Sequence, residues 1–415
     1  MRHRRLPLAA LIVTLCAASF TGCNCGSARV VAPPLPPLSA VVLTPLTDTL
    51  VVGDVKQFVA AALDTNSVVV AGAAFDWTSG DPNVFTVSNN GLVTAVGEGV
   101  AILVAAAGGK ADSAVVAVIV QHGWYAQSSS TTNDLNSVFF LPDGRSGWAV
   151  GNAGTIVHTS TAGASWGVQA SGTAFSLNAA WFTTNLTGFA VGNGGTVMRT
   201  RNGGASWTRL TSVTASDNLF GVCFADTAHG WAVGENGTIL RTADAGQSWM
   251  RANPTATQLN GVSFADTTDG WAVGESGVIV GTHDGGRSWY VVQPSVTSLA
   301  LRAVWRVSAT RAVAVGAQGV KPFTSSTADS LQWNLGTLGA GNDMRSVQIV
   351  DPLIAYAVGT NGPGLVLKSF DGGANWSGQI SNTAQALNDV WFVDELRGWA
   401  VGTGGRILHT SKGGN

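Results

Sequence analysis

The stretch "LFGVCFADTAHGWAVGENGTILRTADAGQSW", Leu219–Trp249, decides how this chain folds. It breaks into short alternating apolar runs separated by Gly-bearing turns, the pattern of consecutive β-strands. The same pattern returns along the chain. The glycine of "AVG" stands at Gly151, Gly192, Gly234, Gly274, Gly316, Gly359 and Gly402, with spacings of 40 to 43 residues. Ahead of each lies a run such as "LNSVFF" at Leu135, "LNAAWF" at Leu177 or "LNDVWF" at Leu387; behind each comes a Gly-led strand and a turn ending in Ser-Trp or a variant of it. Four short strands in about 42 residues make one blade of a β-propeller, and seven units predict a seven-bladed ring. A helical solenoid of similar period would need long 3.6-residue periodicity, which is absent.

The last unit stops early, at "GRILHTSKGGN". In the first four units the "AVG" glycine precedes the final tryptophan by 15 residues: Gly151 to Trp166, Gly192 to Trp207, Gly234 to Trp249, Gly274 to Trp289. Counted from Gly402, that tryptophan falls two positions past Asn415. Upstream of the first unit, "HGWYAQSSS" places Trp124 one period, 42 residues, before Trp166. The strand after Trp124 is therefore expected to complete the seventh blade beside "GRILHT", leaving no free sheet edge at the seam. Closing so long a loop costs only a few kcal/mol, because the entropy grows logarithmically with length.

The remainder divides into three further segments. Arg2, Arg4 and Arg5 precede an apolar run too short for a permanent membrane span, and residues 1–22 read as a leader. Its end, "FTGC", resembles the lipobox of bacterial lipoproteins, which implies lipidation at Cys23; an ordinary secretory signal cut nearby is the alternative. Residues 23–38 form a Pro-rich tether, expected to be extended and stiff. Residues 39–121 alternate with a turn every ten or so positions, the mark of a β-sandwich. "FDWTSGDPNVFTVSNNGLVTAVGEGVA", Phe75–Ala101, resembles the group 2 bacterial immunoglobulin-like family, with Trp77 in the core, Asn90-Gly91 at a hairpin turn and Asp81 capping a turn. Residues 122–415 are the propeller. The fold class is thus all-β: an immunoglobulin-like sandwich followed by a seven-bladed propeller.

Charge excludes some partners. The chain carries 22 basic and 24 acidic residues; losing the leader's three arginines leaves 19 against 24, a formal charge of −5. Nothing in that balance draws the protein to nucleic acid. Cys223 fills a strand slot occupied elsewhere by Phe139, Trp181, Ser263 and Trp391, so it reads as a small core residue.

The turns "TADAGQSW", "THDGGRSW" and "SFDGGANW" resemble the Asp-box, or bacterial neuraminidase repeat. Asp244, Asp284 and Asp371 are expected to accept backbone N–H groups, with Trp166, Trp207, Trp249, Trp289 and Trp376 packing between blades. The full unit, L-x-x-V-x-F…G-W-A-V-G…G-x-I-x-R-T-x-D-G-G-x-S-W, is similar to the photosystem II stability and assembly factor family. That resemblance implies a non-catalytic propeller that binds protein, and an arginine-rich contact patch. The third strand carries a basic or imidazole side chain at one slot, His158, Arg199, Arg241, Lys368 and His409, interrupted by Gly281 and Phe323. These five are the candidate partner-binding residues; their plainer role is to cover neighbouring strands.

Together these readings predict a monomeric, lipid-anchored protein of the cell envelope, binding a protein or an envelope polymer, with no cofactor and no metal. A sialidase-like, glycan-binding or glycan-hydrolysing propeller is the alternative. Sialidases share the Asp-box but also need an arginine triad, a Tyr–Glu pair and an acid Asp. Here Tyr125, Tyr290 and Tyr356 all lie within repeat strands, and Glu235 and Glu275 occupy equivalent turns.

Overall fold

The computed structural model describes residues 36–119, 123–211, 216–308, 311–327, 330–339, 341–360 and 364–414. The leader, Cys23 and most of the Pro-rich tether lie outside the described residues.

Nine strands between Ala40 and Ile119 form sheets of two, four and three strands. The four-stranded sheet orders Thr47–Val51, Lys110–Ile119, Gly99–Ala107 and Asp76–Ser79, with the first pair parallel. Inward positions alternate along these strands, so Leu43, Phe58, Phe85, Val93, Leu103 and Val116 meet in one buried core, with Trp77 packed against it. Only Gly91 of the Asn90-Gly91 pair has positive φ, 81°. The turn closes one residue earlier than a two-residue hairpin, with Gly91 N–H donating to Ser88 O at 3.0 Å. Gly91 then takes the left-handed position, where a Cβ would lie 2.6 Å from the Trp77 ring. Asp81 accepts the Asn83 N–H at 2.9 Å, as a turn cap does.

Among the described residues from Tyr125 onward, seven four-stranded antiparallel sheets form, arranged as propeller blades. Blades 1 to 6 are contiguous: 135–169, 177–209, 219–252, 259–291, 301–337 and 344–379. The seventh joins Leu387–Phe392, Gly398–Gly402 and Ile407–Thr410 to the early strand Tyr125–Gln127. There Tyr125 faces His409, Ala126 faces Leu408 and Gln127 faces Ile407. The innermost strands touch in sequence around the ring, and Leu135–Phe140 of blade 1 touches Leu387–Phe392 of blade 7.

Second strands such as Gly230–Gly234 are buried at every position. Their last glycine is set by close approach: a Cβ on Gly234 would lie 2.1 Å from Asn218 O. Between blades, one aromatic arrangement recurs. The ring on a second strand stacks on the Phe ending the next blade's inner strand, and that Phe meets edge-on the tryptophan before its own outer strand. Trp148 stacks on Phe182 at 3.6 Å, and Phe182 stands 5.8 Å from Trp207 at 89°. Trp231, Phe264 and Trp289 repeat it. At the seam Tyr356 stacks on Phe392 at 3.6 Å, and Trp124 supplies the edge-on ring at 5.6 Å and 88°. Trp124, 1 % exposed, thus occupies the place that the other blades give to the Asp-box tryptophan.

Candidate functional site: the ring interior and its two openings

The Asp-box turns are built alike. In blade 3 Thr242 Oγ1 accepts the Gly246 N–H at 2.9 Å and donates to Asp244 Oδ1 at 2.8 Å. Asp244 also accepts from the Ser248 N–H and hydroxyl. These bonds, the Ser248 hydroxyl foremost, hold the Asp244 carboxyl down to about 2. Asp371, bonded chiefly by Asn375, is likewise held at about 2, and Asp284 lies lower still through Ser288. Asn202 and Thr161 make the same turn without a charge. The carboxylates are therefore consumed within their own hairpins. Among the described residues no group of three or more His, Cys, Asp or Glu side chains is placed to hold a metal ion.

The basic slot faces the next blade. Arg241 Nε donates to Gly285 O at 2.7 Å, Arg199 Nη1 to Ala245 O and Gly246 O at 3.4 Å, and Lys368 Nζ to Gly413 O at 2.9 Å. Each acceptor is a carbonyl of the neighbouring Asp-box turn. His158 instead lies against Trp148, with ring centroids 4.7 Å apart, and His409 stacks on Trp399 at the same distance. Burial pushes the His409 imidazole down to about 3, with Arg397 adding to the effect, so it is neutral at physiological pH. His158, Arg199 and Arg241 are half-buried; Lys368 and His409 are buried. Blade 5 recovers the interaction from two residues earlier: Lys321 Nζ donates to Gly373 O at 2.6 Å. Lys321 and Phe323 point to one side of an alternating strand, the signal that could have identified it.

A second clamp went unread in the sequence. Gln127 Oε1 accepts the Trp166 indole N–H at 3.2 Å while its Nε2 donates to Ala162 O at 3.1 Å. Gln169 does the same for Trp207 and Gly203. The recurring W-x-x-Q spacing of Trp124–Gln127, Trp166–Gln169 and Trp376–Gln379 was its trace.

The ring interior is divided. Near the start of the inner strands, Asn136, Asn178, Asn260 and Asn388 each donate to the first carbonyl of the next inner strand: Leu177, Leu219, Leu301 and Leu135, at 2.8–2.9 Å. The series crosses the seam without a break. Arg302 and Arg345 hold the equivalent positions in blades 5 and 6; Arg302 is paired with Glu275 at 2.9 Å, whereas Arg345 is exposed. These side chains rim a pit of about 160 Å³. Trp181, Trp305 and Trp391 also line it, and Phe139 packs against two of these rings, its ring centroid 4.6 Å from Trp391 and 5.2 Å from Trp181. Trp181 and Trp391 also line a second cavity, about 520 Å³, walled by Phe139, Phe182, Phe224 and Phe392.

Asp389 sits on the pit wall where the other blades place Ser, Ala or Gly. It accepts from Ser346 Oγ at 2.6 Å, Val138 N at 3.0 Å and Val390 N at 2.9 Å, tying blade 7 to blades 6 and 1. Burial raises its carboxyl above the usual range, against those hydrogen bonds. Cys223 is a buried free thiol, its proton held tightly by burial.

A family model described as photosynthesis system II assembly factor YCF48 matches residues 210–298, the span of blades 3 and 4. A solved structure described as YCF48 bound to D1 peptide is 20% identical, with a TM-score of 0.60, over 71% of this chain and 96% of its own. YCF48 from Cyanidioschyzon merolae is 20% identical with a TM-score of 0.58, over 69% of this chain and 98% of its own. The WD40 repeats of RRP9 reach the same TM-score at 8% identity, covering 70% of this chain and 99% of theirs, so the likeness lies in the propeller architecture. No curated protein matches the chain.

Proposed function

We propose that this chain is a non-catalytic binding protein of the bacterial cell envelope. Lipid on Cys23 tethers it, a group 2 immunoglobulin-like sandwich spaces it from the membrane, and a seven-bladed propeller, closed by its own N-terminal strand, holds a protein partner. The observation that carries this reading is how the charged side chains are used. The repeated aspartates and most of the basic slot are bonded to backbone atoms of the same or the neighbouring blade. At the ring axis lie a polar pit backed by tryptophans and an aromatic cavity beyond it. Such a surface suits an extended segment that projects side chains inward. The match to the YCF48 family model, and the relative solved with a D1 peptide, support a protein partner over a glycan. Partner contact through the basic slot falls to His158, Arg199 and Arg241, which keep part of their surface.

The test has two arms. Immobilised protein is screened against a displayed library of extended peptides, and bound members are expected to shift the emission of Trp181, Trp305 and Trp391. The same preparation is assayed with fluorogenic sialosides and other glycosides. A library without binders, together with turnover of any glycoside, favours the sialidase-like alternative.

A further inference from the structure

Blade 4 departs from the repeat at one spot, and several departures converge there. Gly281 occupies the slot that carries a basic or imidazole side chain in five other blades. A Cβ on Gly281 would come within 2.5 Å of the Trp271 ring and 2.6 Å of the Tyr290 ring, so glycine is what lets the phenol lie across the slot. His283 enters at the second position of the Asp-box, its ring stacked on Tyr290 at 5.3 Å and 20°. Tyr290 Oη and His283 Nε2 lie 3.0 Å apart. Behind the imidazole, Nδ1 meets Asp269 Oδ1 at 2.5 Å, and Asp269 lies 3.6 Å from Arg306, whose side chain is wholly buried where five other inner strands end in Phe.

A carboxylate on Nδ1 fixes the tautomer that leaves a lone pair on Nε2, which is how metal-ligating histidines are held. Two donors 3.0 Å apart, each about 2.0–2.1 Å from a shared ion, subtend roughly a right angle there. That angle matches a tetragonal N,O site, the preference of divalent copper, which also binds such donors most tightly among the divalent first-row ions. We propose that His283 and Tyr290 form an imidazole–phenolate chelate for one divalent copper ion. Side-chain exposure of 64% at His283, and 40% exposure of Tyr290, leaves room for water in the remaining positions. Binding replaces the O–H bond by a copper–phenolate bond and releases one proton to solvent, with no change of oxidation state.

The full-length protein is titrated with copper(II) chloride and followed by visible absorption. A phenolate-to-copper charge-transfer band separates this site from copper held by imidazoles or an amino terminus alone. The expected result is a band saturating at one copper per chain, absent in Tyr290→Phe and reached only at ten-fold or more higher copper in His283→Asn. Both replaced side chains are exposed, and unchanged circular dichroism confirms that the variants fold. No band in the wild-type protein at copper excess, or a band that survives Tyr290→Phe, overturns the proposal.

Discussion

Tyr125 and His409 are 284 residues apart in sequence, yet they face each other in one sheet, with the phenol hydrogen-bonded to imidazole Nδ1. Their rings meet edge-on at 5.0 Å, and the imidazole is stacked on its other side against Trp399. Ring closure thus rests on side-chain packing as well as three backbone pairs.

Trp124 is a fully buried indole at that seam. Deleting a fully buried indole removes its transfer free energy and leaves a cavity, so Trp124→Ala is expected to cost about 3–5 kcal/mol. Urea unfolding monitored by circular dichroism checks this. A loss below about 1 kcal/mol shows that the seam does not hold the ring shut.

His409 gives the seam a dependence on pH. Its folded pKa, about 3, lies below the usual imidazole value of about 6.5, so the unfolded chain binds the proton more tightly. The contribution is present in full above pH 6.5 and declines as pH falls towards 3. Between pH 7 and pH 5 the loss amounts to about 2 kcal/mol. His409→Phe is expected to flatten that part of the stability profile, read from urea midpoints at each pH. An unchanged slope places the titration elsewhere.

How much of this was legible in the sequence depends on whether a feature repeats. The period, the strand count and the place of Trp124 could be read because each blade packs the same residue types at the same spacing. The orientation of the basic slot could not. Alternation assigns Arg199, Arg241 and Lys368 to one side of a strand but does not say that a neighbouring carbonyl stands within reach. Lys321 escaped because it lies two positions off the repeat, and Asp389 because six blades place a small residue in its slot. The cluster of Gly281, His283, Tyr290 and Arg306 is assembled across two blades, which no single unit reveals.

Asp389 carries a test of the seam from inside the ring. Its oxygens serve donors on three successive blades, and Asp389→Ala leaves Val138 N–H and the Ser346 hydroxyl without that partner. The expected cost is about 2–3 kcal/mol, the penalty for stranding buried polar groups. Ser346→Ala should cost less, since it removes one donor and leaves the backbone bonds intact. Equal losses in the two variants would mean that the Val138 bond contributes nothing.

Arg241 separates blade cohesion from partner binding. Its Nε bond to Gly285 O is a charge-assisted contact in a half-buried setting, so Arg241→Met, which keeps the aliphatic packing, should lose about 1–2 kcal/mol. The paired variant Arg199→Ala/Arg241→Ala should lower the urea midpoint further. If the two arginines serve only to join blades, affinity for a peptide selected on the wild-type protein stays within two-fold, measured where the variant remains fully folded. A ten-fold or greater loss of affinity under those conditions assigns the pair to partner contact as well.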